Sequence, residues 1–381
     1  MNLRPPLRVG WSATILSDPV MRGLSDGIGV YTRELAAAYG RLDDVTPVPV
    51  VMGARAARHA PSDAILLPDH AALATALSWA TGADFRGARE LAGRIDVFHA
   101  TDYRIPRLRR TPVCATLFDA IPLSHPEWAN PRLRRLKNTS LRKSARWADH
   151  VIAISQAMVP ELAEQYGIDR QRITVTPLGV GERWFETESA SRITAVQSRY
   201  GLTSGYLLFV GTLQPRKNVE RIVEAFRRLP AQTSAGRQLV IAGKAGWRAD
   251  DLVATLCAVA GAGRVRWLDY VDAEDMRALY QGAAAFIFPS LYEGFGLPVL
   301  EAFASGVPVV ASTTTSLPEV AGNAALLVDP MDVDAIAAAM AAILDDSPLA
   351  GRLRTAGLAR ARTFTWARCA SETASVLRSL L

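Results

Sequence analysis

Short apolar runs alternate with longer amphipathic segments along the whole chain, and this alternation limits the fold more than any other feature of the sequence. Each run has four or five residues, as expected for a strand buried on both faces of a parallel sheet. Helices between such strands cover both faces of the sheet. The predicted strands cover residues 7–11, 49–52, 96–100, 113–117, 150–154, 173–177, 206–210, 239–242, 265–268, 285–289, 308–311 and 325–328.

The clearest predicted helix covers residues 217–229, which follow the first strand of the second half. Its apolar residues recur with the spacing of one helical face. They are Val219, Ile222, Val223, Phe226 and Leu229. Six strands before residue 178 and six after residue 205 predict two α/β domains joined through the polar segment 178–204. The carboxyl ends of such strands are the usual place for a ligand, here in a cleft between the domains.

Composition excludes several classes of protein. Of the 381 residues, 49% are hydrophobic and 21% charged, which is too apolar for a disordered chain. The net charge of +6 is too mild to indicate nucleic acid. Cys114, Cys257 and Cys369 show no paired spacing, which disfavours a disulfide framework or a zinc site. The chain lacks a signal-like N-terminus, and its longest apolar run, 335–344, is about half a membrane span. These features predict a cytoplasmic protein.

A metal site is not expected. The five histidines are scattered, without the spacings of metal-binding motifs. Asp332 and Asp334 form a DxD pattern, but they precede an Ala-rich helix, where aspartates act as caps.

A glycine-rich turn follows the predicted strand 285–289. It contains Glu293 and Gly296, and Pro298 then fits the first turn of a helix that carries Glu301. The free N–H groups and the positive end of that helix favour an anion such as phosphate. The two glutamates flank this anion-binding turn. A lone glutamate is most often an exposed charge, but the glycines, proline and strand favour a binding role here.

Two other loops have similar character. Gly211 and Thr212 follow the strand 206–210 and lead to Arg216 and Lys217, a pair suited to phosphate. Gly27 and Gly29 precede a predicted helix over residues 31–39 and form a second loop able to accommodate an anion. Thr32 replaces the third glycine of a dinucleotide fingerprint, and the loop lies far beyond the first strand. This disfavours a nicotinamide-dependent oxidoreductase.

Together these motifs resemble the retaining glycosyltransferases of the GT-B fold, the large family 4 group. The resemblance spans almost the whole chain and is strongest over residues 205–330. It rests on segments 293–301, 211–218, 268–271, 27–31 and 364–366. It implies two Rossmann-like domains: residues 1–185 bind the acceptor and 186–360 the nucleotide sugar, while helix 361–381 crosses back to the first domain. It also implies that no metal is needed.

The resemblance also implies roles for individual residues. Glu301 would hydrogen-bond the donor ribose, and Glu293 would contact hydroxyls of the transferred sugar. Arg216 and Lys217 would neutralise the leaving diphosphate, whose charge grows in the transition state. The backbone N–H groups of the following turn would help hold sugar and phosphate, and a segment after strand 265–268 would contact the base. The backbone groups belong to Phe295, Gly296 and Leu297, and the base segment contains Tyr270 and Val271.

The sequence departs from the family pattern at several positions. Thr212 stands where many members have arginine, and Asn218 replaces a frequent glycine. After strand 113–117, Phe118 replaces a histidine that reaches the reacting sugar, whereas the following acid, Asp119, is retained as a candidate catalytic residue. His99, at a strand end, is a weaker candidate for contact with the acceptor.

A basic segment covers residues 104–147. It has eleven cations against two acids, a local charge of 11 − 2 = +9, with tryptophans and leucines between them. This pattern is typical of a basic amphipathic helix that touches an anionic membrane surface or a polyprenyl diphosphate acceptor. A solvated basic face is an equal alternative. Nucleic acid is disfavoured because no nucleic-acid-binding module accompanies the segment.

The leading hypothesis is a retaining glycosyltransferase of polysaccharide biosynthesis. It would move a sugar from a nucleoside-diphosphate sugar to a hydroxyl of a glycan or polyprenyl-diphosphate-linked glycan. Residues 211–218 look most like bacterial mannosyltransferases of surface-polysaccharide assembly, so GDP-mannose is the preferred donor. The alternatives are a catalytically silent nucleotide-sugar-binding partner subunit, suggested by Phe118, and a GT-B-fold sugar-nucleotide epimerase.

Overall fold

The structure is a computed structural model that describes residues 5–18, 27–128, 133–260 and 263–381. Its contacts divide the chain into two compact units. The first comprises Met1–Pro126, Pro131–Gly179 and Thr365–Leu381, and the second comprises Glu127–Asn130 and Val180–Phe364. Each unit is built on a parallel sheet, as the sequence predicts.

The first unit contains a seven-stranded sheet with the strand order β3-β2-β1-β4-β5-β6-β7. Its strands are β1 (Leu7–Ser12), β2 (Val45–Met52), β3 (Ile65–Leu67), β4 (Val97–Ala100), β5 (Val113–Leu117), β6 (His150–Ala153) and β7 (Ile173–Val175). Its helices, apart from the last helix of the chain, are α1 (Thr14–Ser17), α2 (Gly27–Tyr39), α3 (Ala54–Ala57), α4 (Ala71–Thr81), α5 (Ala88–Arg94), α6 (Ile121–Ser124), α7 (Arg134–Ala145) and α8 (Val159–Tyr166).

The second unit contains a six-stranded sheet with the order β10-β9-β8-β11-β12-β13. Its strands are β8 (Tyr206–Val210), β9 (Leu239–Ala242), β10 (Val265–Leu268), β11 (Ala283–Phe288), β12 (Val309–Ser312) and β13 (Leu326–Val328). Its helices are α9 (Ala190–Tyr200), α10 (Val219–Arg228), α11 (Ala231–Ser234), α12 (Asp250–Ala260), α13 (Met276–Gln281), α14 (Leu297–Ala304), α15 (Leu317–Ala321), α16 (Val333–Asp345) and α17 (Ser347–Ala361).

The last helix, α18 (Trp366–Arg378), belongs to the first unit and packs against α2. Trp366 is buried there with its ring 6.2 Å from that of Tyr31. The division between the units falls between Gly179 and Val180, whereas we predicted it between residues 185 and 186. The intervening residues belong to the second unit because Trp184 packs edge-on against Tyr280, 5.3 Å between ring centroids.

All twelve predicted strands are present, and one further strand among the described residues was missed. The missed strand, β3, has three residues and lies at the edge of the first sheet. Strand β2 begins at Val45, four residues before the prediction, and contains Pro47 and Pro49. Strand β3 pairs only with Val50–Met52, so both prolines lie where β2 has a single neighbour. A proline without an N–H is tolerated at such a position.

Helix α10 confirms the amphipathic prediction, because all five residues of the predicted apolar face are buried. It begins at Val219 rather than at residue 217, since residues 215–217 form a separate 3₁₀ turn. Helix α2 begins at Gly27 rather than at residue 31, so the two predicted loop glycines lie in its first turn. No helix within the described part of the chain is long and apolar enough to cross a membrane.

Candidate active site

The site lies at the carboxyl edge of the second sheet, where the loops after parallel strands meet. The loop between β11 and α14 carries Glu293. Ser316 Oγ donates hydrogen bonds to the carbonyl oxygens of Glu293 (2.8 Å) and Phe295 (2.7 Å). The Glu293 N–H in turn donates to Thr315 Oγ1 at 3.0 Å. The loop is therefore fixed by the segment that begins α15.

Glycine and proline shape the start of α14. Gly296 precedes the helix with φ +119°, in the region that favours glycine. Leu297 and Pro298 then open the helix, and proline is suited to this position because its missing N–H would have no helical partner. The positive end of the helix dipole thus follows directly after the loop that carries Glu293.

Three charged side chains meet at this loop. Lys217 Nζ lies 2.6 Å from Glu293 Oε1, and Arg216 Nη1 lies 3.1 Å from Glu293 Oε2. The same guanidinium nitrogen donates to the Tyr292 carbonyl at 3.0 Å. Glu293 and Lys217 are buried, and the lysine Nζ lies over the Phe288 ring. The structure thus brings together three of the four predicted catalytic residues, and we call them the ion cluster.

Burial and mutual charge oppose each other in the ion cluster. Burial lowers the pKa of Lys217 to about 8, although the charge of Glu293 acts in the opposite direction. Burial alone would raise the pKa of Glu293, but the charges of Lys217 and Arg216 outweigh it and hold that pKa below its ordinary value. Glu293 is therefore ionised at neutral pH, and its charge helps keep Lys217 protonated.

Asn218 fixes the end of the turn that carries Arg216 and Lys217. It follows the 3₁₀ turn Pro215–Lys217 in the left-handed conformation, with φ +61°. Its Nδ2 donates to the carbonyl oxygens of Pro289 (2.9 Å) and Pro330 (2.7 Å). Glycine and asparagine are the residues that adopt this conformation at least cost, so asparagine fits where the family resemblance led us to expect glycine.

Glycines at the ends of β8 and β9 allow the neighbouring loops to approach closely. The Gly211 N–H donates to the Ala242 carbonyl at 2.9 Å, and its Cα faces Lys217. A Cβ on Gly243 would overlap the Gly211 carbonyl oxygen, and one on Gly246 would lie 2.7 Å from Thr212 Cγ2. The sequence analysis missed Gly243 and Gly246, since a glycine after a strand has many possible causes.

Glu301 lies on α14 and takes no part in the hydrogen bonds described for the ion cluster. Tyr280 Oη donates to Glu301 Oε2 at 3.2 Å, and Tyr280 itself is buried. Burial raises the pKa of Glu301 to about 7, against smaller opposing effects of Tyr280 and Arg183. Its protonation therefore changes near neutral pH.

The predicted base-contacting residues follow β10, two strands from β8 in the same sheet. Tyr270 is exposed, and Lys244 Nζ, from the loop after β9, lies 5.4 Å from its ring centroid. Val271 is half-buried. Since β9 and β10 are adjacent and parallel, Lys244 and Tyr270 lie at the same edge as Gly211.

In the first unit, the Asp119 carboxylate is held by hydrogen bonds from its own unit. Its Oδ1 accepts hydrogen bonds from the Ile121 N–H (3.1 Å) and from Tyr103 Oη (3.2 Å). Phe118 is buried and packs edge-on against Tyr31, with 5.1 Å between ring centroids. Phe118 is thus part of an aromatic core at the position where the family resemblance led us to expect histidine.

His99, the weaker candidate for contact with the acceptor, lies in the core of the first unit. His99 is fully buried within β4, between Tyr39 Oη (2.9 Å from Nδ1) and Thr116 Oγ1 (2.9 Å from Nε2). Burial lowers the pKa of its imidazole to about 3, so it stays neutral. It is a core residue with both ring nitrogens hydrogen-bonded.

We had predicted that the basic segment forms one amphipathic helix, and this prediction is wrong. Within residues 104–147 the chain forms β5, the short helix α6, and then α7, which alone carries a dense series of cations. Arg104 pairs with Asp102 at 2.8 Å and is therefore not a free surface charge. Residues 129–132 lie outside the described part.

The aspartates of the DxD pattern behave as predicted for a helix cap. Asp332 Oδ1 accepts a hydrogen bond from the Ala335 N–H at 2.9 Å, at the start of α16. In the described ranges, no group of three or more histidine, cysteine, aspartate and glutamate side chains could hold a metal ion.

Known proteins match both units. The family model "Glycosyl transferases group 1" matches residues 195–360, and "Glycosyltransferase Family 4" matches residues 25–183. The Escherichia coli O-antigen chain mannosyltransferase B is 34% identical over 285 residues, which cover 74% of each chain. The chain belongs to the family 4 glycosyltransferases. The serotype-specific mannosyltransferase WbdA of Escherichia coli is 33% identical over 257 residues, 66% of this chain but 31% of WbdA.

Solved structures of the GT-B fold resemble this glycosyltransferase over its whole length. Anabaena Alr3699/HepE in complex with UDP has a TM-score of 0.72 at 18% identity, covering 98% of this chain and 100% of that one. WaaG, a glycosyltransferase involved in lipopolysaccharide biosynthesis, has a TM-score of 0.68 at 14% identity, covering 97% and 99%. These likenesses establish the fold, two parallel-sheet Rossmann-like domains.

Proposed function

We propose that this glycosyltransferase is a retaining mannosyltransferase that uses GDP-mannose. It transfers mannose to a hydroxyl of a glycan or polyprenyl-diphosphate-linked glycan during assembly of a surface polysaccharide. The observation that carries the proposal is the ion cluster of Arg216, Lys217 and Glu293 beside the start of α14.

The ion cluster suits the chemistry of a diphosphate leaving group. When the bond between sugar and phosphate breaks, negative charge gathers on the diphosphate. Two cations fixed by buried contacts stabilise that charge more strongly than water does, because they need no reorganisation. The N–H groups at the start of α14 add further donors to the same anion.

Glu293 links donor binding to the sugar. Its carboxylate holds both cations, so an arriving diphosphate competes with it for them. A carboxylate partly released from the cations is free to accept hydrogen bonds from hydroxyls of the transferred sugar. Glu301, eight positions on, would accept hydrogen bonds from the ribose.

Retention of configuration is proposed from the spacing of Glu293 and Glu301, which is the pattern of the retaining members. In that mechanism the acceptor attacks the face that the diphosphate leaves. An oxygen of the departing phosphate takes the proton of the acceptor hydroxyl, and the new glycosidic bond forms on the same face. Asp119, which is held by Tyr103 and the Ile121 N–H, is the candidate residue from the first unit.

The donor and acceptor are proposed from the relatives. The Escherichia coli protein that is 34% identical is named an O-antigen chain mannosyltransferase, and WbdA is a serotype-specific mannosyltransferase. A mannosyltransferase of Mycolicibacterium hassiacum is 30% identical over 256 residues. Shared names across these relatives support mannose as the sugar and a bacterial glycan as the acceptor.

Calorimetric titration with UDP, GDP, ADP and CDP, with and without Mg²⁺, tests the donor site. We expect GDP to bind most tightly, with an affinity that Mg²⁺ leaves unchanged. Tighter binding of another nucleotide would overturn the GDP assignment, and strict dependence on Mg²⁺ would overturn metal independence.

Product analysis with GDP-mannose then separates the remaining alternatives. A new glycosidic bond whose anomeric configuration matches the donor, observed by NMR, supports the proposal, and the inverted configuration contradicts retention. Conversion of the donor without an acceptor would indicate an epimerase. Binding of GDP without turnover on any mannan-type acceptor would indicate a silent partner subunit.

A further inference from the structure

Helix α4 of the first unit exposes five of its apolar residues, although Ala74 is buried and Trp79 is half-buried. The helix has eleven residues, none of them charged, and Thr75 and Ser78 are among its buried residues. Leu73 and Leu77, one turn apart, are 58% and 49% exposed. A single exposed leucine is ordinary, but a charge-free helix that buries two hydroxyls and exposes two leucines and three alanines indicates a contact surface. The exposed apolar residues are Ala72, Leu73, Ala76, Leu77 and Ala80.

Helix α7 adds positive charge and two further exposed leucines. Leu133 and Leu136 are 70% and 61% exposed, and every residue from 133 to 137 is exposed. Residues 133–146 contain six cations and no acid. These cations are Arg134, Arg135, Lys137, Arg142, Lys143 and Arg146.

The two helices are neighbours. Helices α4 and α7 contact each other, and Lys143 Nζ lies 4.7 Å from the centroid of the Trp79 ring. The apolar face and the cationic helix therefore form one continuous part of the first unit. We call it the attachment surface, comprising the exposed residues of α4 and of residues 133–143.

We propose that the attachment surface binds the surface of an anionic phospholipid bilayer. Exposed leucines enter the boundary between headgroups and acyl chains, and the cations pair with lipid phosphates. Long arginine and lysine side chains suit this arrangement, because their stems lie along apolar surface while their charges reach the headgroups.

Charge decides between a bilayer and a second copy of the chain. A two-fold symmetric contact through this surface would bring two α7 helices together, each with six cations and no acid between residues 133 and 146. Like charges at close range oppose such a contact. An anionic bilayer satisfies the leucines and the cations at the same time.

Co-flotation of the full-length protein with vesicles tests the proposal. It uses vesicles of phosphatidylcholine alone and vesicles with about one-third phosphatidylglycerol, without donor or acceptor. We expect binding to the anionic vesicles, weakened by salt, and much less binding to phosphatidylcholine. The result does not depend on the proposed mannosyltransferase activity, since no substrate is present.

Two sets of variants test the cations and the leucines of the attachment surface separately. Arg134→Gln with Arg135→Gln and Lys137→Gln should weaken vesicle binding about a hundredfold, at about fivefold for each cation near the surface. Leu73→Ser with Leu77→Ser should weaken it about tenfold or more through lost apolar insertion. All five side chains are exposed, so thermal unfolding should change little.

Matched controls change the same charge or apolarity elsewhere. Arg41→Gln with Arg227→Gln and Arg352→Gln removes three other exposed cations, and Met331→Ser with Leu381→Ser removes two other exposed apolar side chains. Both controls should bind vesicles as the unchanged protein does. Equal binding to both kinds of vesicle, or equal losses in variants and controls, would overturn the proposal. So would a dimer by light scattering that Leu73→Ser with Leu77→Ser converts to monomer while vesicle binding persists.

Discussion

Lys217 and Glu293 are separated by 76 positions in sequence and joined by a 2.6 Å ion pair. A buried ion pair adds little to stability, because the cost of removing both charges from water roughly offsets their attraction. Its position at a strand edge beside a helix start therefore points to function rather than to stability. The sequence identified each residue as a candidate through its local motif. It did not predict that they bond to each other.

Removal of Lys217 tests the role of the ion cluster. We expect Lys217→Ala to lower kcat about a hundredfold or more, because one cation that stabilises the leaving diphosphate is lost. Glu293 would then keep Arg216 as its partner, so the fold should persist. The measurement is kcat with saturating donor and acceptor, together with circular dichroism of the variant.

Arg227→Ala on α10 is the matched control, since this cation is exposed and close in sequence. It should leave kcat within about twofold of the unchanged protein, as is usual for a surface charge away from the site. A kcat near the unchanged value for Lys217→Ala would remove that lysine from the transition state.

From the raised pKa of Glu301 we predict how GDP binding depends on pH. Its pKa is raised to about 7 by burial, so the carboxylate that we propose as an acceptor of hydrogen bonds from the ribose is lost as pH falls below 7. We expect the affinity for GDP to rise between about pH 6 and 8. Glu301→Gln should weaken GDP binding and flatten this rise, and calorimetry at several pH values measures both effects. An unchanged affinity in the variant would contradict the ribose assignment.

The same shift affects stability with the opposite sign. The folded-state pKa of Glu301 lies above its ordinary value of 4.5, so the folded protein binds this proton more tightly than the unfolded chain. This contribution to the free energy of unfolding is present at low pH and is lost as pH rises through about 7. Comparison of Glu301→Gln with the unchanged protein across this window isolates it from other groups.

Residue-level errors came from burial that a single sequence does not reveal. His99 has the polarity of a ligand-binding residue, and only the positions of Tyr39 and Thr116 show that both ring nitrogens are already bonded. The packing of Phe118 was not predicted either, because its aromatic neighbours Tyr31 and Tyr103 are distant in sequence.

At the scale of elements, the ends of β8 and β9 set the geometry of the loop that leads from Gly211 to Arg216 and Lys217. Gly243 has φ +150°, and a Cβ there would overlap the Gly211 carbonyl oxygen and lie 2.7 Å from its carbon. We expect Gly243→Ala to lower the free energy of unfolding by about 2 kcal/mol, through overlap and strain. It should also weaken GDP binding, because Gly211 must move. Chemical denaturation and calorimetry measure the two effects.

Gly93→Ala is the control for this substitution. Gly93 lies in α5, and nothing lies within 4 Å of a Cβ there, so alanine should be neutral or stabilising by about 0.5 kcal/mol. If Gly243→Ala were as stable as Gly93→Ala and bound GDP normally, the close approach of the two strand ends would not matter to the site.

The spacing of apolar residues predicted most buried strands and the buried face of α10. It did not predict strand β3 or the structure of the basic segment. The twelve predicted strands and the buried face of α10 were found because a continuous apolar run bounded by turn residues is typical of a buried strand, and a helical face has its own spacing. Strand β3 was missed although β7 and β13, which also have three residues, were predicted, so its length does not explain the omission. The basic segment was predicted as a helix from charge and leucines alone, although β5 interrupts it.

At the scale of the whole molecule, the chain leaves the first unit after Gly179 and returns to it at Thr365. The Val180 N–H donates to the Phe364 carbonyl at 3.0 Å within the second unit. Within the first unit, Gly179 contacts the backbone of Thr365 and Trp366. The crossings at residues 179–180 and 364–365 are therefore side by side, which no local sequence pattern predicts.

Gly179 is needed for this close approach. A Cβ at this position would overlap the Trp366 backbone nitrogen and lie 2.6 Å from the Thr365 carbonyl carbon. Backbone atoms cannot move aside as a side chain can, so α18 would be displaced from α2. We expect Gly179→Ala to lower the free energy of unfolding by about 2–3 kcal/mol, measured by chemical denaturation.

Gly351→Ala provides the matched control for Gly179→Ala. Gly351 lies within α17, and nothing lies within 4 Å of a Cβ there, so alanine should stabilise the protein by about 0.5–1 kcal/mol. The two substitutions add the same methyl group with opposite expected signs. If Gly179→Ala kept full stability, and the tryptophan fluorescence of the protein were unchanged, the docking of α18 would not depend on the small residue at the crossing.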